Sequence, residues 1–274
     1  MLLTGSICTL TMYSAYRYYA PPLIIQPYQL SLSHEDTLRV AYIGDSWAYM
    51  HQEHNCQIAK LLEDTLSRPV KVYSYGICGL TSKEIYENIF HNNDFKEFLQ
   101  KRRYEYSFIS AGINDTYKKM STNYFIHSMN GIIQFMLVNN IYPIILEIPD
   151  YNIQRSFERQ TNTRKVLRFI SMFVNRTPLD CKHSYRDAFD EMISKQGYQD
   201  KVSIIRYNVW NNNYIDDLHH LYLADGLHLN ERGYARLDTV IAQEIISSIT
   251  TAQNTNHSKS GQCPSWLLKN RVRK

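Results

Sequence analysis

Five short runs constrain this chain more than any other feature: 38–43 (LRVAYI), 70–75 (VKVYSY), 106–111 (YSFISA), 143–148 (PIILEI) and 202–206 (VSIIR). Each has the length of a β-strand and is nearly continuous in apolar character. A strand with one wet face alternates apolar and polar residues, whereas a strand covered on both faces does not. Helical patterns separate the runs. Residues 56–66 place Ile58, Leu61, Leu62 and Leu66 on one face. Residues 122–138 space Phe125, Met129, Ile132, Ile133 and Met136 by threes and fours, and 231–249 do so with Tyr234, Leu237, Ile241 and Ile245 behind an Asn230 N-cap. This order predicts an α/β fold, a three-layer αβα sandwich around a mainly parallel, flavodoxin-like five-stranded sheet.

No Pro-, Gly- or Ser-rich linker divides the 274 residues, and 44% hydrophobic content supplies one large core. The expected organisation is an N-terminal segment over 1–33, a catalytic-sized domain over 34–249 and a basic, flexible tail over 250–274. The segment's first 16 or so residues are weakly apolar and interrupted by Ser and Thr. That fits an anchor or signal remnant through which membrane contact is possible, and it leaves the compartment open between cytoplasm and cell envelope. The net charge is +4, but the tail alone carries Lys259, Lys269, Arg271, Arg273 and Lys274 without an acid, so the body sums to −1. A near-neutral body argues against nucleic acid as a partner. The tail's apolar knot, Trp266-Leu267-Leu268, is a candidate contact with the body or with a partner. Five cysteines with no CxxC pair suggest neither a disulfide framework nor a thiolate metal site, and buried thiols are the expectation for most of them.

In a parallel sheet the chemistry collects where strands end at their carboxyl edge. The first run ends in Gly44-Asp45-Ser46-Trp47 and the second in Gly76-Ile77-Cys78-Gly79-Leu80-Thr81-Ser82. The third ends in Gly112-Ile113-Asn114-Asp115, and Asp225-Gly226-Leu227-His228-Leu229-Asn230 precedes the last helix. Singly these are ordinary turn residues. Together they offer a hydroxyl, a backbone amide, a side-chain amide and an acid–imidazole pair. A serine hydroxyl is a poor nucleophile until an imidazole takes its proton, and the imidazole needs a carboxylate to fix its tautomer. A tetrahedral intermediate needs preorganised donors for its oxyanion.

With these blocks the chain resembles the SGNH hydrolases, or GDSL-type esterases and lipases, over residues 38 to about 248. "GDSW" resembles the nucleophile block, "GICGLTS" the second, "GIND" the third and "DGLHLN" the last. The resemblance implies Ser46 as nucleophile and Asp225 and His228 as its triad partners. It implies an oxyanion hole made by the Ser46 amide, the Gly79 amide and the Asn114 side chain, aided by the dipole of a helix that begins at Ser46. Gly79 matches better than Gly76 because it stands before an x-Thr/Ser pair. Trp47 departs from the Leu or Ile of many members. No metal and no organic cofactor are implied.

Near the last block, Asp-x-x-His pairs at Asp216/His219, Asp217/His220 and Asp225/His228 compete for the last role. Spacing cannot choose among them. The block resemblance favours the third, with the other two as loop or rim residues; a metal site at Asp216, Asp217, His219 and His220 has no fixed geometry. His51 and His54 in "HQEH" do not form H-E-x-x-H and read first as an exposed helix face, with a role beside the substrate as the alternative because the segment starts at the site. Arg155, Arg159, Arg164, Lys165 and Arg168 read as a solvated face that could greet an anionic glycan.

The expected substrate is a short-acyl ester, acetyl first, on a carbohydrate or similar small molecule. Trp47 and Tyr117 are the candidate substrate contacts, since aromatic faces suit sugar rings and no long apolar lid is apparent. Two alternatives share the fold: an O-acetyltransferase acting on a glycan, and a catalytically silent glycan-binding protein.

Overall fold

The computed structural model describes residues 4–10, 12, 36–52 and 57–258. Five strands form one parallel sheet in the order β2-β1-β3-β4-β5: β1 (Leu38–Gly44), β2 (Val70–Gly76), β3 (Tyr106–Ser110), β4 (Tyr142–Leu146) and β5 (Ser203–Ile205). The register sets Leu38 opposite Val70 and Gly44 opposite Gly76, so β1 and β2 end side by side.

The apolar continuity of the runs has its expected cause. Along β1, Ala41 and Ile43 enter one core while Leu38, Val40 and Tyr42 enter the other. β3 divides likewise, with Ile109 on the first face and Phe108 on the second. The first core is covered by α3 (Ser82–His91), α4 (Asn93–Gln100), α6 (Thr122–Val138) and α9 (Lys182–Lys195). The second is covered by α1 (Ser46–His51), α2 (Gln57–Leu66), α10 (Tyr207–Trp210), α11 (Tyr214–Leu221) and α12 (Glu231–Ser258). The result is the three-layer α/β sandwich. Between β3 and β5 lie α5 (Ile113–Lys118), α7 (Ile153–Glu158) and α8 (Asn162–Asn175).

Strand and helix ends follow local chemistry. β4 stops at Leu146, short of the run over 143–148. Pro149 has no amide for the ladder, and the Ile148 carbonyl accepts from the Arg186 guanidinium at 2.8 Å. Thr81 and Glu84 form a capping box that starts α3. Asn230 accepts from the Gly233 amide at 3.0 Å at the start of α12, and that helix continues past residue 249 through Ser258.

Residues 4–10 and 12 are helical and exposed; most of the expected N-terminal segment, residues 259–274 with Trp266-Leu267-Leu268, and His54 lie outside the described residues. No helix among the described residues is long and apolar enough to cross a membrane. Of the described thiols, Cys181 is buried as expected, whereas Cys8 and Cys78 are exposed, Cys78 because it lies in the turn after β2; Cys56 and Cys263 lie outside the described residues.

Candidate active site

Three strand ends and one distant loop meet at the carboxyl edge of the sheet. Asp45 caps α1 by accepting from the Trp47 amide at 3.0 Å, which fixes Ser46 at the first helical position. Gly76 lets β2 come close to this turn. A Cβ there would stand 2.2 Å from the Tyr49 amide nitrogen and 2.6 Å from the Asp45 carbonyl, so no larger residue fits. Helix α1 is only six residues long, so its first-turn amides matter more than a macrodipole.

The loop between α11 and α12 is shaped by its own backbone. Leu223 donates to the His228 carbonyl at 2.7 Å, Tyr222 and Leu229 form an antiparallel bridge, and Asn230 donates to the Leu221 carbonyl. This hairpin-like turn aims His228 at the sheet. His228 Nε2 lies 2.9 Å from Ser46 Oγ, and His228 Nδ1 lies 2.6 Å from Asp225 Oδ2. The other carboxylate oxygen of Asp225 accepts from the Leu227 and His228 amides at 2.9 and 3.0 Å. Partial burial pushes the Asp225 carboxyl up, but the His228 bond and the two amide bonds outweigh it and hold its pKa at about 2. Asp225 is therefore ionised at any working pH, and a carboxylate, imidazole and hydroxyl stand in line.

The two further oxyanion-donor candidates, Gly79 and Asn114, lie at the ends of the second and third strands. Gly79 has φ +81° in the turn after β2, a conformation that favours glycine, and no heavy atom lies within 4 Å of where its Cβ would be. Asn114, half-buried on α5, donates from Nδ2 to Asp45 Oδ2 at 3.4 Å. Asp115 beside it is fully buried and accepts from the Ser82 amide at 2.8 Å and the Ser82 hydroxyl at 2.7 Å. Those bonds tie α5 to the start of α3 and so hold the second and third blocks together. Gly79, Asn114 and Tyr117 open onto one cleft of about 440 Å³.

The competing acid–imidazole pairs point elsewhere. Asp217 accepts from the Asn212 amide at 2.9 Å to stabilise the turn into α11, and His219 and His220 are exposed on that helix. Among the described residues, no three His, Cys, Asp or Glu side chains gather in a way that could hold a metal.

Two expectations are overturned. Trp47 is no substrate contact: it is fully buried and packs edge-on against Trp210 with ring centroids 5.9 Å apart. On a helix its side chain leaves the axis in a different direction from that of Ser46. His51 is not on an exposed face: it is 2% exposed, with Nε2 2.8 Å from Asp238 Oδ1 and Nδ1 3.0 Å from Ser74 Oγ. Ser74, His51 and Asp238 thus repeat the residue types of the outer line, but His51 and Asp238 are sealed in the core and cannot meet a substrate. Asp238 also accepts from the Gln57 amide at 2.8 Å, so the pair clamps α1 and α2 to α12. Tyr117 remains half-buried on the cleft wall.

Asp45, which the sequence shows only as turn chemistry, is the hidden support of the site. Burial pushes its carboxyl up to about 7, although the Trp47 amide pulls the other way. A carboxyl whose folded pKa exceeds its unfolded one binds its proton more tightly when folded. Its contribution is therefore full below pH 4 and is lost as pH rises towards 7. Asp45→Asn is expected to remove this slope, at most about 1.4 kcal/mol per pH unit. Denaturant melts of both proteins between pH 4 and 7 measure the difference.

The GDSL-like lipase/acylhydrolase family model matches residues 42–236. Solved structures agree on the fold. A lipase/acylhydrolase from Enterococcus faecalis superposes with a TM-score of 0.52 at 17% identity, over 76% of this chain and 95% of that one. A Streptococcus pneumoniae protein described as a candidate platelet activating factor gives 0.53 at 18% identity, over 89% and 94%. A mutant acetyl-xylooligosaccharide esterase from Geobacillus gives 0.50 at 14% identity, over 76% and 94%. No protein with a curated description matches in sequence. With the family match spanning all four blocks and most of the chain, the protein belongs to the GDSL-like lipase/acylhydrolase family of carboxylic ester hydrolases.

Proposed function

We propose that the protein is a serine esterase that removes short acyl groups, acetyl first, from a carbohydrate. The observation that carries this reading is the unbroken line Asp225–His228–Ser46, at 2.6 and 2.9 Å. Ser46 Oγ attacks the ester carbonyl carbon while its proton passes to His228 Nε2. The carbonyl oxygen takes the electron pair and is met by the Ser46 and Gly79 amides and the Asn114 side chain. Collapse breaks the bond to the alcohol, which leaves with the proton from His228. Water then attacks the acyl-serine, giving its proton to the same nitrogen, and the acid departs.

The cleft beside the oxyanion donors favours a hydrophilic substrate portion. Its wall includes Tyr117, Lys118, Gln160, Arg164 and Arg168, and Leu167 is its one aliphatic residue larger than alanine among the described lining residues. A long acyl chain would gain little there, whereas a sugar finds an aromatic face and several donors. The Geobacillus relative in fold is an acetyl-xylooligosaccharide esterase, which is in keeping with this reading.

The test is a panel of acetylated sugars against longer-chain esters, run on the wild type and on Ser46→Ala. Fast release of acetate from sugars, absent in the variant, is the expected result. Preference for long chains would contradict the acetyl assignment, and transfer of the acetyl group to an added sugar without free acetate would contradict hydrolysis. Asn114→Ala is expected to lower kcat by about 100- to 1000-fold with a small change in KM, because its amide meets charge that exists only in the transition state.

A further inference from the structure

The cleft that starts at Gly79 and Asn114 is lined by a cation for which no hydrogen-bond partner stands among the described residues. Arg168 lines it and is only 4% exposed, yet its Nε, Nη1 and Nη2 have no hydrogen-bond partner. Its guanidinium lies 4.5 Å from the centre of the Tyr117 ring and 5.4 Å from that of Phe157. Aromatic faces stabilise the charge, but they satisfy none of the in-plane N–H groups. A buried charge without a counter-charge is costly, and native structures rarely keep one without a purpose. Burial accordingly pushes the guanidinium below its ordinary range.

Among the described residues lining the cleft there is no carboxylate, while Lys118 and Arg164 add further positive charge. Lys118 reaches outside the cleft to Glu84 at 3.2 Å. Gln160, whose buried Oε1 is also unpartnered, lies on the same wall. A cleft of about 440 Å³ holds a small saccharide. The rigid fork of an arginine matches the two oxygens of a carboxylate, and the flanking rings hold that fork in plane.

We infer that the ester taken by this site carries a carboxylate on its sugar, as an acetylated uronic acid does, and that the Tyr117 ring now covering the guanidinium turns aside for Arg168 to bind that carboxylate while the acetyl group sits at Ser46. This rests on the esterase reading above and narrows its substrate class.

The experiment compares a mono-O-acetylated methyl glucuronoside with the matching methyl glucoside, on the wild type, Arg168→Lys and Arg168→Met. The wild type is expected to prefer the acid by about tenfold to a hundredfold in kcat/KM, the size of one charge-assisted pair. Arg168→Lys should lose most of that ratio because it keeps a charge but not the fork, and Arg168→Met should bring it close to one. A wild-type ratio near one, or a ratio preserved in a folded Arg168→Met, overturns the inference. Should neither variant fold, the wild type alone decides. Glucuronate should inhibit hydrolysis of a chromogenic acetyl ester at about one tenth or less of the concentration that glucuronamide needs, and equal inhibition overturns the inference. A wild type that cleaves the chromogenic ester but does not distinguish the sugars defeats the carboxylate alone. A wild type that cleaves no acetyl ester defeats the esterase reading and this inference with it.

Discussion

Ser46→Ala is expected to lower hydrolysis of an acetyl ester by about ten-thousandfold to a millionfold, and His228→Ala by a similar factor. The two losses should not add, because each removes the same event, transfer of the Ser46 proton across the 2.9 Å gap to Nε2. What survives is the contribution of substrate binding and the oxyanion donors. Neither change removes a large buried side chain: Ser46 is 8% exposed and small, and His228 is half-buried. Both variants should therefore melt within about 1 kcal/mol of the wild type, which unfolding in urea can check. His219→Ala is the control. His219 belongs to an Asp-x-x-His pair of the same spacing but is exposed on α11, and its loss should leave turnover within about twofold. Loss of activity in His219→Ala with activity kept in His228→Ala would reverse the assignment.

Asp225→Asn is expected to cost about ten-thousandfold in kcat with little change in fold. The asparagine keeps an oxygen for the Leu227 and His228 amides, the bonds that shape the turn. Its NH2 group then faces His228 Nδ1, where the carboxylate had accepted the N–H hydrogen bond at 2.6 Å. The imidazole answers by placing its one proton on Nε2, which then faces Ser46 as a donor and cannot serve as a base. Because Asp225 in the wild type is held at about 2, the wild type should show no activity step from this group between pH 4 and 9. A pH–rate profile of kcat for both proteins separates this from simple unfolding. A loss that alkaline pH partly restores in the variant fits the tautomer account, and an unfolded variant contradicts it.

The sheet could be read from the sequence because parallel strands buried on both faces leave little freedom of composition. Val40 and Ala41 go to opposite cores, so both must be apolar. The four blocks were legible for a related reason: each turn chemistry is tied to a backbone demand, such as the left-handed φ at Gly79 and the close approach at Gly76. Trp47 misled because adjacency to a reactive residue in sequence says nothing about direction on a helix. His51 misled because its polarity suggested water, while its partner Asp238 lies far along the chain on α12 and no local pattern announces the pair. Arg168 shares a basic run with Arg164 on α8, yet Arg164 is exposed and Arg168 is buried against Tyr117. Both lie four residues apart on the face of α8 that lines the cleft, but only Arg168 reaches the Tyr117 and Phe157 rings, and charge spacing does not encode that. Among the Asp-x-x-His pairs near the last block, only the loop that presents His228 to Ser46 separates the working pair from the others.

The account stands on the hydroxyl of Ser46 being made reactive by His228, and one measurement addresses that directly. The wild type and His228→Ala are treated with a fluorophosphonate, and the adduct is weighed and then mapped by mass spectrometry of peptides. One phosphonyl group on Ser46 in the wild type, and none on the variant over the same time, is the predicted outcome. Labelling at another residue, or equal labelling of Ser46 in both proteins, would contradict it.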